Sequence, residues 1–166
     1  MNLAHKLYAM VVVFATIAIL IGCTKKTNVD VTVEKNKSLV QRYFDEMNKG
    51  NKSYLDEYLG ANYIYHGSEG DLDAEGFKAQ HYIFLTAFPD TKVSVEDIIA
   101  VGDKVVTRWK IRGTHSGELQ GIAPTGKEVT ITGIIITRVD NGKAVEEWEA
   151  FNQLGLMQQL GAIPSN

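Results

Sequence analysis

Over residues 34–49 the side chains Val40, Tyr43, Phe44 and Met47 return every three or four positions, which predicts an amphipathic helix stopped at Gly50. A second, short helix is expected over residues 53–59, with Ser53 as its cap and Gly60 ending it. Residues 61–66 are rich in tyrosine and isoleucine and read as a short strand, followed by a loop over 67–71. Asp73 then offers an N-cap for a helix reaching Phe88. On it Phe77, His81, Phe84, Leu85 and Phe88 form one stripe, and Pro89-Asp90 ends it. After that the pattern turns to strands. Val93, Val95 and Ile98 begin one that turns at Gly102-Asp103 into a second over 104–115. A loop with Pro124 covers 117–126, and the β-branched stretch 127–139 leads through Asp140-Asn141-Gly142-Lys143, a strong hairpin signal, into a last strand over 144–152. Residues 154–160 suit a short amphipathic helix closed by Gly161. Helices first and a mostly antiparallel sheet afterwards imply an α+β domain. A strongly twisted sheet curls, and the N-terminal helices can cover its concave side to leave a pocket.

The N-terminus reads differently. Lys6 gives a short basic start, residues 11–21 are apolar apart from Thr16, and Cys23 follows Leu20-Ile21-Gly22. A run of that length suits a signal-peptide core and is short for a spanning helix, which needs about 20 apolar residues. Leu20-Ile21-Gly22-Cys23 resembles the lipobox of bacterial lipoproteins. The resemblance implies cleavage before Cys23, lipid attachment to its thiol, and residence in the bacterial cell envelope, on the periplasmic or extracellular face. The division expected is therefore a signal peptide over 1–22, a tether over 23–33 and one domain over 34–163.

Composition narrows the function. The chain has 166 residues, 45% hydrophobic and 22% charged, an ordinary globular make-up. Its net charge of -3 lacks the basic excess of nucleic-acid binders, so no nucleic-acid partner is expected. The single cysteine excludes an internal disulfide and a cysteine-based zinc site. His66, His81 and His115 lack the close spacing that holds a metal from one element, and no phosphate-binding glycine loop or Gly-x-Ser-x-Gly nucleophile is present. No metal is expected.

An ordered set of phrases carries a more specific resemblance. It comprises Tyr43-Phe44 with Asn48-Lys49-Gly50-Asn51, Ala61-Asn62-Tyr63 with His66, Ala87-Phe88-Pro89-Asp90, and Val95-Glu96-Asp97. Arg108-Trp109, Gly113-Thr114-His115-Ser116-Gly117, the stretch 121–127, the hairpin 140–143, Glu147-Trp148 and Leu154-Gly155-Leu156 complete it. From about Asn36 to Gly161 the chain resembles the SnoaL-like polyketide cyclases (ester cyclases) of the NTF2-like superfamily. The resemblance implies a cone-shaped α+β barrel, commonly dimeric, with a ligand cavity at its wide end. It also implies cofactor-free ring closure of a polyketide ester, in which an acidic side chain on the last strand takes a proton next to carbonyl groups.

Glu149 occupies that last-strand position and is the candidate base, since burial of a carboxylate raises its proton affinity. His66 and His115 are candidate polarisers of a carbonyl. Trp109, Ile135, Tyr63 and His81 are candidate pocket residues, with Tyr65 and Tyr82 as further sources of hydroxyls. Ile135 departs from the family, where the matching residue is often a histidine that orients or polarises substrate. Register decides where Glu149 points. A two-residue turn at Asn141-Gly142 sets it opposite Ile134, and a three-residue turn sets it opposite Gly133, with open space above that glycine. Three readings follow: an enzyme acting on a small apolar carbonyl compound, a lipid-tethered binding module, or a structural envelope protein with a filled cone.

Overall fold

The computed structural model describes residues 28–164. Helix α1 (Asn28–Asn48) leads into the short α2 (Tyr54–Tyr58), strand β1 (Leu59–Gly67), strand β2 (Gly70–Asp73) and helix α3 (Ala74–Ala87). Four long strands follow, β3 (Lys92–Val101), β4 (Lys104–Thr114), β5 (Glu128–Asp140) and β6 (Lys143–Phe151), and helix α4 (Gln153–Leu160) closes the domain. All six strands form one sheet in the order β2-β1-β6-β5-β4-β3. Neighbours run antiparallel except β1 and β6, which are parallel. The α+β class read from the sequence is the class found.

Three local expectations need correction. α1 begins at Asn28, so residues 28–33 of the expected tether are helical. No glycine or proline interrupts them, and Asp30 suits the positive end of the helix dipole. Gly60 does not end a helix but lies in β1. The expected loop over 67–71 is a hairpin, with Gly67 paired to Gly70 and His66 to Asp71. Gly70 takes φ +115°, a backbone conformation open mainly to glycine. The expected signal peptide, the lipidation candidate Cys23 and residues 24–27 of the tether lie outside the described residues.

Polar side chains seat the helices on the sheet. Asn48 ends α1 by donating to the Val93 carbonyl at 2.8 Å and accepting from the Val93 N–H at 2.7 Å, so a side-chain amide extends the β3 ladder. Asp73 caps α3 through the Gly76 N–H at 2.8 Å, as its sequence position suggests. After α3, Asp90 accepts from both the backbone N–H and the hydroxyl of Thr114, each at 2.7 Å, and fixes the turn against the end of β4. β4 shows the expected alternation: Val105, Thr107, Trp109, Ile111 and Gly113 are buried while their neighbours are more exposed. The buried side chains of β4, β5 and β6 meet those of α1, α2 and α3 in one core, on the concave side of the curved sheet.

Candidate active site

The turn between β5 and β6 has two residues, Asn141 at φ 48° and Gly142 at φ 74°, the left-handed pair that Asn-Gly supplies readily. A turn of that kind alone would set Glu149 opposite Ile134, a residue 47% exposed on the outer face. The observed partner is Ile135, which is 3% exposed. Register slips between Arg138, paired to Glu146, and Val139, paired to Ala144, so Val145 is an extra residue in β6. Because side chains alternate, one inserted residue exchanges the faces of everything beyond it. Glu147 and Glu149 therefore point inward and Trp148 outward, the reverse of what hydrophobic patterning suggests for this strand.

Glu147 is fully buried and accepts three hydroxyl hydrogen bonds. Tyr58 and Thr137 each donate to Oε1 at 2.7 Å, and Tyr63 donates to Oε2 at 2.5 Å. Burial pushes its carboxyl upward, and the three hydroxyls act against that rise. Two residues on, Glu149 is only partly buried and accepts one such bond, from Tyr65 at 2.7 Å. Desolvation pushes Glu149 up to about 7, assisted by the nearby Glu147 charge and opposed by the Tyr65 hydroxyl and the Trp109 indole N–H. A carboxyl in that range is populated in both states at neutrality, so it can take or give a proton.

Aromatic rings enclose the pair. Tyr43 of α1 stacks on Tyr58 with centroids 4.7 Å apart, and Phe77 of α3 contacts Tyr63 and Tyr65 at 5.3 and 5.1 Å. Trp109 lies across β5. A Cβ built on Gly133 would stand 2.4 Å from one indole carbon and 2.8 Å from the one bonded to the ring nitrogen. The space expected above Gly133 is therefore filled by the indole, and the glycine is what admits it.

The candidates fall into two groups. Glu149, Ile135, Tyr63 and Trp109 lie on the concave side, with Ile135 directly beside Glu149. His81 borders the same cluster, 3.5 Å from the Tyr43 hydroxyl through Nδ1, and burial holds it down at about 4, so it is neutral at pH 7. The two proposed polarisers are elsewhere. His66 is on the outer face, stacked on Trp148 and held between Asp71 at 2.8 Å and Glu146 at 3.1 Å. Those carboxylates raise its proton affinity. His115 is buried beyond the end of β4, where the Thr125 backbone N–H donates to Nδ1 at 3.2 Å and Phe88 covers the ring. Glu149 shares its level in the sheet with Thr107, eight residues back along β4, or roughly 26 Å of strand. His115 therefore fastens the 115–127 loop rather than meeting Glu149. The Tyr82 hydroxyl is spent on the Lys52 carbonyl.

Sequence reasoning gave no site role to Glu147, Tyr43 or Tyr58. The available signal was Thr137, in phase with Ile135 on β5 and supplying a hydroxyl to the facing strand. Among the described residues, no group of three or more His, Cys, Asp or Glu side chains is placed to hold a metal ion. A groove of about 780 Å³ runs along the start of β1 between α2 and α3, lined by Leu55, Leu59, Ile64, Ala74 and Lys78. It shares only Tyr63 with the carboxylate cluster.

A family model for SnoaL-like polyketide cyclases matches residues 37–160, and the chain belongs to that family. Solved structures agree. AclR of Streptomyces galilaeus, described as a candidate hydroxylase, is similar at 26% identity with a TM-score of 0.76, covering 81% of this chain and 85% of its own. IdmH of Streptomyces antibioticus, described as a candidate polyketide cyclase, is 29% identical with a TM-score of 0.67, covering 76% and 98%. A SnoaL-like protein of Jannaschia sp. CCS1, at 22% identity and a TM-score of 0.74 over 85% and 99%, bears on the fold alone. No curated protein matches the chain.

Proposed function

We propose that the chain is an acid–base catalyst that removes a proton next to the carbonyl of a small apolar, polyketide-like compound, with Glu149 as the base, giving cyclisation or isomerisation. The observation that carries this is the Glu149 carboxyl itself. It stands on the concave face with a single hydroxyl partner and a proton affinity raised to about 7. A base poised near the working pH is the efficient choice for proton transfer from carbon. With His66 on the outer face and His115 in the loop beyond β4, polarisation of the carbonyl has to come from another group.

A suitable test uses benzoylacetone, an aryl 1,3-diketone, and follows its keto–enol interconversion by ultraviolet absorbance. The expected result is protein-catalysed conversion above the buffer rate, rising with pH through a midpoint near 7 and falling roughly 100-fold or more in Glu149→Gln. Conversion at the buffer rate, or an unchanged rate in Glu149→Gln, overturns the assignment.

One feature favours a second reading, a binding module without turnover: the cross-strand neighbour of Glu149 is the apolar Ile135. In that case benzoylacetone binds and is recovered without acceleration of its interconversion. Under either reading the proposal places the site at a membrane surface, in a homodimer anchored through lipid on Cys23 in the bacterial envelope. Support for the anchor is the Leu20-Ile21-Gly22-Cys23 sequence, and loss of radiolabelled palmitate incorporation in Cys23→Ser is its test.

A further inference from the structure

Among the described residues, three buried side-chain polar atoms have no hydrogen-bond partner: Thr107 Oγ1, Trp109 Nε1 and His115 Nε2. A buried donor left unpaired costs about 1–3 kcal/mol, so each requires an account. His115 Nε2 belongs to the loop anchor beyond β4. Trp109 Nε1 is different: its ring is held over Gly133, and its N–H is directed at the Glu149 carboxyl, whose proton affinity it lowers, while standing outside hydrogen-bond geometry with it. The side chain is 5% exposed and its ring fills the space over Gly133.

We propose that the Trp109 indole N–H is a substrate-binding donor that takes the carbonyl oxygen of the ligand while Glu149 faces the adjacent carbon. This rests on the catalytic reading above and supplies the polarising group that neither His66 nor His115 can provide. The step balances on the residues present. Glu149 accepts the proton, and the C–H electron pair becomes the carbon–carbon double bond of the enolate. The carbonyl π pair moves onto oxygen, where the indole N–H meets the developing charge. Return of the proton from Glu149 to carbon or oxygen completes an isomerisation; alternatively the enolate carbon attacks a second carbonyl of the same molecule, whose π pair moves onto its oxygen and takes the proton from Glu149 as the ring closes. The ligand class is therefore an oxygen-acceptor carbonyl compound, with an oxygen and an acidic C–H on neighbouring atoms.

The experiment uses protein labelled with ¹⁵N in its indoles, which gives two N–H signals, from Trp109 and Trp148, assigned with Trp148→Phe. Titration with benzoylacetone is expected to move the Trp109 proton downfield saturably and leave Trp148 in place, in the parent protein and in Glu149→Gln alike. A Trp109 signal that does not move up to the solubility of the probe overturns the proposal, as does an equal shift of both signals. In a second arm the benzothiophene analogue of tryptophan, equal in shape but without N–H, replaces Trp109. A roughly 100-fold fall in the interconversion rate supports the donor role, and an unchanged rate overturns it. If Trp109 shifts in the parent protein but no conversion is catalysed, the catalytic reading fails and the binding donor stands. If conversion depends on Glu149 but Trp109 stays still, the donor fails alone.

Discussion

Replacing Glu149 by glutamine keeps the side chain's size and one hydrogen-bond acceptor for Tyr65 while removing the ionisable group, which makes its effect on stability a direct measure of burial. The native carboxyl holds its proton up to about 7, against an ordinary value of 4.5. Below pH 4.5 the group is neutral in both folded and unfolded chains and contributes its full favourable share. Between 4.5 and about 7 the unfolded chain releases the proton and the folded one keeps it, so stability is lost as pH rises. Above about 7 both forms are charged and the loss stops growing. At about 1.4 kcal/mol per pH unit the window corresponds to roughly 3 kcal/mol. The expected outcome is that Glu149→Gln gains stability over the parent protein by up to about that amount between pH 4.5 and 8, nearly all of it below pH 7. Urea unfolding followed by tryptophan fluorescence at half-unit pH steps gives the difference directly. A difference that stays flat across the window would show that Glu149 is solvated in the folded protein, and the case for a raised carboxyl would fall with it.

Gly133→Ala places a methyl group 2.4 Å from the Trp109 ring and 2.9 Å from the Ala150 carbonyl oxygen, and neither is the free end of a flexible chain. A loss of about 1–3 kcal/mol on thermal unfolding is expected, with a shifted Trp109 emission; unchanged emission would mean that the indole does not lie over the glycine. His66→Asn should leave benzoylacetone interconversion within about twofold of the parent rate, since His66 lies on the outer face beside Trp148. A large loss of rate in that variant would put the histidine back in the chemistry.

Much of the fold was legible because local signals agreed with one another. The stripe from Phe77 to Phe88, the Asp73 cap and the Asn141-Gly142 turn each predicted an element or a boundary that the structure contains. What stayed hidden has a common physical origin. Hydrophobic alternation reports the solvent-facing side of a strand only while register is regular, and the extra Val145 breaks it. Alternation alone therefore does not show that Glu147 faces inward and Trp148 outward, and only the resemblance pointed Glu149 inward. The histidines failed for another reason. His66 and His115 sit near strand ends, where one residue decides the face or the side chain enters a loop, and sequence spacing carries neither distance.

The two inward glutamates also explain why the strand tolerates them. Two carboxyls on one face, two residues apart, cannot be equally charged in an apolar core without a large penalty. The structure treats them unequally. Three hydroxyls from α2, β1 and β5 close around Glu147, so its acceptor capacity is used internally and no solvent reaches it. Glu149 receives one hydroxyl, sits partly open, and experiences the charge of its neighbour as a further push toward its protonated form. Different environments on a pair of carboxyls are the usual means by which one becomes a fixed element and the other a proton carrier. Under the proposed function, Glu147 belongs to the wall of the site and Glu149 to its chemistry. Val145 is then the residue on which the arrangement turns, since without the insertion both carboxyls would face water and Trp148 would fill the space they occupy.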